Sequence, residues 1–280
     1  MNWIEITAEF DESPEDWSFV ADLMNRYGCP STLVQEDPPR ISGCVVEDAG
    51  CETVIAAIRQ ALDAIGARAI VSRYVPDQDW TALWRAHFKP RRIGARLVIR
   101  PTWESAHLEP DDLEIVLDPG QAFGTGDHPT TRMCLQLLEG IPLQGRTFAD
   151  VGCGSGVLSI AASLLGAKEI VAIDSEPEAI EVAMANFARN EVKAKAVVGE
   201  GFEPLNGKRC DVVASNLISA AIVALAPDAS RALASQGSWI ISGILNANWP
   251  EVQAAVESAG LTLVDHLAED DWHAARLDLT

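Results

Sequence analysis

The stretch from Phe148 to Ser175 constrains the fold of this chain more than any other. A short apolar run ends in Ala149 and Asp150, the chain turns through Gly152, Cys153, Gly154, Ser155 and Gly156, and the spacing from Val157 to Leu165 is helical. A second apolar run, Glu169 to Ile173, ends on Asp174. Strand, glycine turn, helix and strand, with an acid at the second strand's tip, predict a Rossmann-like parallel sheet that grips a nucleoside. The glycines let the backbone turn sharply and approach a ligand, and the terminal carboxylate is placed to accept from both ribose hydroxyls.

The loop also bears on which nucleoside is bound. A dinucleotide loop spaces its glycines as GxGxxG, whereas Gly152, Gly154 and Gly156 alternate here, and Asp150 stands two residues ahead of the first. An acid followed by GxGxG resembles motif I of class I S-adenosylmethionine (SAM) methyltransferases. Their ligand carries an ammonium and a sulfonium where NAD carries a pyrophosphate, and negative charge suits the former. Two other readings stand beside it. One is an NAD enzyme, disfavoured by the place of Asp150 and the lack of an obvious hydride-transfer pair; the other is a glycine turn that only packs a helix on a sheet.

With 280 residues, 48% of them hydrophobic, the chain is long enough for two domains or one large one with a buried core. Forty-one acids against 21 bases give a net charge of −20. Such a surface repels nucleic-acid phosphates and anionic membrane and favours a basic protein partner, although acidity that only serves solubility gives the same composition. The six cysteines show no CxxC pair and no metal-ligand spacing with histidine. They read as reduced, small apolar residues, and no metal site is expected. Met1 to Asp11 lacks a basic n-region and a long apolar stretch, and no window has the length of a membrane span, so the expectation is a cytoplasmic protein.

Ahead of the glycine loop, Trp3–Phe10 alternates as a strand and Pro14–Tyr27 has helical spacing. Ser31–Gln35 and Ile41–Val46 flank the turn formers Asp37, Pro38 and Pro39, Cys51–Ile65 is a second helix ended by Gly66, and Ala67–Val75 is a final strand. The order βαββαβ predicts a small ferredoxin-like α+β domain over residues 1–76. It holds no histidine, no lysine and no catalytic constellation, and reads either as a docking surface for a basic partner or as a solvated acidic face. Residues 77–100 read as a helical and basic linker. Asp77–Lys89 carries Trp80, Leu83, Trp84 and Phe88, and Arg85, Lys89, Arg91, Arg92, Arg96 and Arg100 form the chain's one basic run. In so acidic a chain these cations are expected to pair with its own domains rather than with RNA. Residues 101–280 form the third part, entered by strands at Arg96–Pro101 and Leu113–Leu117.

Asp118 to Thr131 is a glycine-punctuated loop running into a helix. Pro129 suits the first helical position with Asp127 or His128 as cap, which puts Thr130 and Thr131 beside unpaired first-turn N–H groups able to hold a carboxylate, here that of the methionine part of SAM. His128 reads as a cap more readily than as a base. Farther on, Pro177–Asn190 is a helix, and Ala194–Val198 is a strand with Glu200 past its end, where adenine contacts lie. Asp211–Ala214 is a strand followed by Ser215, Asn216 and Leu217 where open α/β sheets bind ligands. The side-chain oxygen of Asn216 is able to accept from an attacking amine and align its lone pair. Ala220–Leu233 is helical with a break at Pro227, Ser238–Ile244 is a strand, and Trp249–Ala259 is a helix. Leu261–Leu267 and Trp272–Leu279 form a closing antiparallel pair.

The FGTGxHPTT-type stretch Phe123–Thr131, the Trp80–Pro90 segment ending His-Phe-Lys-Pro, the Asp150–Gly156 loop and Asn216 together resemble the bacterial ribosomal protein methyltransferase family often called PrmA, over essentially the whole chain. One departure is Asp127, where the family commonly has threonine; it adds a carboxylate near the site. The resemblance implies a class I SAM-dependent methyltransferase domain behind a ferredoxin-like recognition domain. The implied substrate is large-subunit ribosomal protein eleven, methylated on lysine side chains and its α-amine and docked by the N-terminal domain. The expected cofactor set is Thr131, Asp150, Gly152, Gly154, Gly156, Asp174 and Asn216 with Gly124 and Thr125. Asn216 and Phe123 are the catalytic candidates, with Phe123, Gly124 and Thr125 covering the methyl-transfer channel. No general base is evident, and an in-line displacement needs a held, neutral amine more than it needs one. Two alternatives remain open: a methyltransferase for another protein or a small-molecule amine, and a SAM-binding ribosome-assembly factor without turnover.

Overall fold

The computed structural model describes residues 3–14, 17–29, 32–47, 50–75, 88–118, 126 and 128–279. The chain divides into two compact units, Met1–His87 and Phe88–Thr280. Apart from Phe88 and Lys89, the helix expected from Asp77, with Trp80 and Trp84, lies outside the described residues, as do Phe123, Gly124, Thr125 and Asp127.

In the first unit, β1 (Trp3–Glu9), α1 (Trp17–Arg26), β2 (Thr32–Glu36), β3 (Pro39–Val46), α2 (Cys51–Ala64) and β4 (Ala69–Val75) follow the expected βαββαβ order. The sheet runs β2-β3-β1-β4 with every neighbouring pair antiparallel, the ferredoxin-like arrangement. Period-two alternation sends Ile6 and Ala8 of β1, and Ile41 and Val45 of β3, to one face. There they meet Val20 and Met24 of α1 and Ile58 and Leu62 of α2 in a separate apolar core.

The second unit opens with a small sheet, β5 (Arg91–Ile93), β6 (Leu97–Arg100) and β7 (Leu113–Val116). Residues 88–100, expected in the linker, therefore belong to this unit. Ile93, Leu97 and Ile99 are buried, and their apolar contacts outweigh the arginines between them. Three arginines and a lysine of this run pair inside the unit as expected: Arg92 with Asp112 at 2.5 Å, Arg100 with Glu114 at 2.6 Å, Arg96 with Glu139 at 3.6 Å and Lys89 with Glu104 at 2.5 Å. Pairs of this kind at a surface act mainly on local geometry.

The main sheet is built from α3 (Pro129–Glu139), β8 (Thr147–Val151), α4 (Val157–Leu164), β9 (Glu169–Asp174), α5 (Pro177–Arg189), β10 (Lys195–Val198), β11 (Cys210–Asn216), α6 (Ser219–Ala232), β12 (Leu233–Leu245), α7 (Trp249–Ser258), β13 (Leu261–Glu269) and β14 (Trp272–Leu279). Its order is β10-β9-β8-β11-β12-β14-β13, with β8 to β12 parallel and β14 antiparallel to both its neighbours, β12 and β13. Helices on both faces explain the unbroken burial of Phe148–Val151 and Val212–Ser215. The chain winds outward from β8 through β9 to β10 and then returns to lay β11 on the other side of β8. That reversal opens a crevice beyond the carboxyl ends of β8 and β11.

The break expected at Pro227 does not occur; α6 runs through it. Pro227 sits on the solvent side, while Ile222, Ala226, Ala229 and Ala232 keep one apolar face in the core across it. Packing along that stripe outweighs the missing N–H.

Candidate active site

The glycine loop leaves β8 and is tied to β9 by its own backbone. Gly152 and Cys153 donate N–H groups to the carbonyl of Ile173 at 2.8 and 3.0 Å, and Gly154 donates to the Asp174 carboxylate at 2.9 Å. All three loop glycines have φ between +52° and +77°, the left-handed region open to glycine, and Gly156 in this conformation caps α4. A Cβ on Gly156 would stand 2.6 Å from the Phe187 ring, and one on Gly152 would collide with the Leu217 side chain. Because these loop N–H groups are spent on β9, the loop forms a close-fitting wall rather than a cradle of free donors for a pyrophosphate. Asp174 takes the Glu176 N–H on its other oxygen at 3.1 Å, and each carboxylate oxygen keeps capacity for a further donor.

His128, Pro129 and the two threonines start α3. His128 is the N-cap, its Nδ1 accepting from the Thr130 N–H at 3.4 Å and lying 2.8 Å from the Thr130 hydroxyl, with Pro129 at the first helical position. Thr131 donates its N–H to the His128 carbonyl at 3.1 Å. The first-turn N–H groups expected to be unpaired therefore have partners, and the polar groups left to meet a ligand carboxylate are the threonine hydroxyls. Burial, then the nearby Arg132 charge, lowers the His128 pKa and keeps the ring neutral, in keeping with a cap whose Nδ1 lone pair is in use.

Asp150, expected among the cofactor contacts, does not line the cavity, and neither does Gly156. Asp150 is fully buried and turns into the base of α4, where Oδ2 accepts the Ser159 N–H at 3.0 Å and hydroxyl at 2.8 Å. Burial pushes its pKa up to about 7, against the pull of the Ser159 bonds and helped by the Asp174 charge. It is a tether between β8 and α4 that sets the pitch of the loop above it.

Across the crevice, β11 ends at Asn216. Its Nδ2 donates weakly to the Thr131 hydroxyl at 3.4 Å, and its Oδ1 is buried without a hydrogen-bond partner, alone in this among the side chains of the described residues. A buried amide oxygen left this way costs roughly 1–3 kcal/mol, a penalty relieved when a donor arrives. Leu217 then closes down on the sheet, its N–H bonded to the Ser242 carbonyl at 3.0 Å. Gly243, at φ +84°, permits this approach, because a Cβ there would overlap the Leu217 carbonyl.

These groups enclose one cavity of about 570 Å³, a size suited to a nucleoside cofactor. Thr131, Gly152, Gly154, Asp174 and Asn216 of the expected set line it, with Glu200, Leu225, Ile218 and Trp272. Its ionisable lining groups among the described residues are His128, Cys153, Asp174 and Glu200, with no lysine or arginine. A wall with two carboxylates and no fixed cation opposes a pyrophosphate and accepts an ammonium and a sulfonium, so the residues fit SAM and not NAD. The sequence reading missed Trp272 and Gly243. The one signal for Trp272 was its place at the start of the closing strand, and Gly243 looked like any glycine in an apolar run.

A doubly covered sheet ending in an antiparallel pair, a GxGxG wall and an acid at the tip of β9 together define a class I SAM-dependent methyltransferase. The model of the family described as Ribosomal protein L11 methyltransferase (PrmA) matches residues 3–279, and the chain belongs to that family. It is 38% identical over 306 residues to a ribosomal protein L11 methyltransferase of Pelotomaculum thermopropionicum, covering 98% of each chain. To that of Chloroflexus aurantiacus it is 34% identical over 319 residues, covering 98% and 97%. Among solved structures, the ribosomal protein L11 methylase of Lactobacillus delbrueckii subsp. bulgaricus superposes with a TM-score of 0.64 at 29% identity, covering 68% of this chain and 98% of that one.

Proposed function

We propose that this protein methylates amines of ribosomal protein L11, lysine side chains and the α-amine, and that Asn216 is the residue that aligns the acceptor. The observation carrying this reading is the unpartnered Oδ1 of Asn216, a residue that lines the cavity together with Thr131 and Gly152. When bound, SAM supplies a methyl carbon on a sulfonium, open to in-line displacement. Asp174 would hold the ribose hydroxyls, the Thr131 hydroxyl the methionine carboxylate, and the glycine wall would fix the height of the nucleoside. Asn216 Oδ1 accepts an N–H of the neutral acceptor amine and so points its lone pair away from Asn216, along the line of transfer.

A lysine amine with a pKa of ~10.4 is mostly charged at neutral pH. The apolar lining supplied by Leu217, Ile218 and Leu225 favours its neutral form by desolvation. The proton leaves to solvent, since the His128 lone pair is engaged in capping α3. Phe123, Gly124 and Thr125 complete the proposal as a cover over the channel.

The first unit, acidic and free of lysine, suits the docking of a basic protein. No helix among the described residues is long and apolar enough to cross a membrane, and an activity on a ribosomal protein supports a cytoplasmic place of work. The test is intact-mass spectrometry of recombinant L11 after incubation with the protein and SAM, beside Asp174→Ala. Whole-methyl mass increments that vanish in the variant are expected; no increment from a protein that binds SAM would remove the substrate assignment.

A further inference from the structure

The geometry points to Trp272 as the specificity-determining wall for the acceptor: its indole receives the alkylamine side chain as the arriving cation, before its proton leaves to solvent, on the far side of Asn216 from the cofactor. This deepens, and rests on, the methyl-transfer reading of the cavity.

Strand order carries the argument. Asp174 ends β9 and Asn216 ends β11, two strands away across β8. β12 follows, and then β14, whose first residue, Trp272, pairs with Leu245 at the carboxyl end of β12. At about 4.8 Å per strand, Asn216 lies roughly 10 Å across the sheet from the ribose acid, and Trp272 roughly 10 Å further on. A nucleoside held at Asp174 with its reactive carbon near Asn216 leaves the Trp272 end of the same cavity for whatever approaches that carbon from the opposite side. Trp272 lines the cavity, as does His128, the ring it packs against.

The position is built rather than incidental. Trp272 meets His128 edge to face, with ring centroids 5.0 Å apart and planes at 71°. The tip of the hairpin is tied down by an Arg132–Glu269 ion pair, by the Ser242 hydroxyl donating to the His273 carbonyl at 2.9 Å, and by the Asn246 N–H donating to the Asp271 carbonyl at 3.0 Å. Arg132, the cation closest in sequence to this corner, is thus engaged by Glu269, and His128 is neutral. An indole face in such surroundings attracts an alkylammonium and packs its methylene chain, and it holds the acceptor equally well after it has gained methyl groups.

The experiment titrates n-butyltrimethylammonium, a lysine-like cation that cannot be methylated, into full-length protein saturated with S-adenosylhomocysteine, and follows binding by calorimetry. The wild type is expected to bind it, Trp272→Phe to bind within about threefold, and Trp272→Leu and Trp272→Met about tenfold or more weakly. Fold is checked in each variant by S-adenosylhomocysteine affinity, and the comparison is read on whichever non-aromatic variant retains it. Equal binding by the wild type and such a variant, or loss of binding in a folded Trp272→Phe, overturns the inference. In turnover with L11, KM is expected to rise in the non-aromatic variants with kcat largely kept. If L11 is not the substrate, the alkylammonium still binds and still depends on residue 272. If this inference alone fails, L11 is methylated with a KM indifferent to residue 272.

Discussion

Two loops face each other across the crevice, and they are finished differently. The loop after β8 is closed on itself: Gly152, Cys153 and Gly154 have their N–H groups bonded to β9, and Asp150 beneath them is buried and bonded to Ser159. The loop after β11 is held close by Gly243 yet leaves Asn216 Oδ1 with no donor. A loop that only has to present a shape can satisfy its polar groups internally and so become stiff. One that has to take hold of a reacting group keeps an acceptor in reserve, at the expense of stability.

The sharpest way to break this contrast acts on Asp174, the acid at the tip of β9 that would hold the ribose in the proposed reaction. Asp174→Ala removes a charged acceptor and the anchor of the Gly154 N–H, and SAM affinity is expected to fall about 100-fold or more by calorimetry. A tenfold smaller loss would mean the closed loop holds the nucleoside by shape alone. Gly243→Ala tests the open side: with φ +84° and the Leu217 carbonyl in the way, it is expected to cost about 1–3 kcal/mol in urea denaturation. Its kcat is expected to fall more than its SAM affinity, because Asn216 shifts with Leu217.

The smallest effect is a pH dependence seated in the closed loop. Asp150 has its folded pKa raised from 3.8 to about 7, so its favourable contribution is complete below about pH 4 and is lost as pH rises through about 7. Asp150→Asn does not titrate. Urea midpoints are therefore expected to be similar for the two proteins near pH 5 and to favour the variant near pH 8; parallel pH curves would show that Asp150 is not the buried acid described.

Much of this was legible in the sequence because its signals are local. Alternating glycines between apolar runs fix strand, turn and helix within one segment, and the period-two and helical patterns of the first unit fix βαββαβ order. What was not legible depends on contacts between distant segments. Asp150 and Asp174 look alike at strand ends, and only the packing of α4 sends one into the protein while the other faces the cavity. Trp272 reaches the site because β14 pairs with β12, more than a hundred residues after the glycine loop begins. The arginines of β5 and β6 suggested a linker by charge, while Ile93, Leu97 and Ile99 between them were already enough to anchor a hairpin. At Pro227, a rule about one residue yielded to four apolar neighbours on the same helical face.

The most direct test of the central claim is the single-turnover rate of methyl transfer to L11 by Asn216→Ala at saturating SAM, with SAM affinity measured on the same preparation. If the open oxygen aligns the acceptor, the rate falls about 100-fold while SAM affinity stays within about threefold. A rate equal to that of the wild type would contradict the claim and leave the unpartnered oxygen without a part in the reaction.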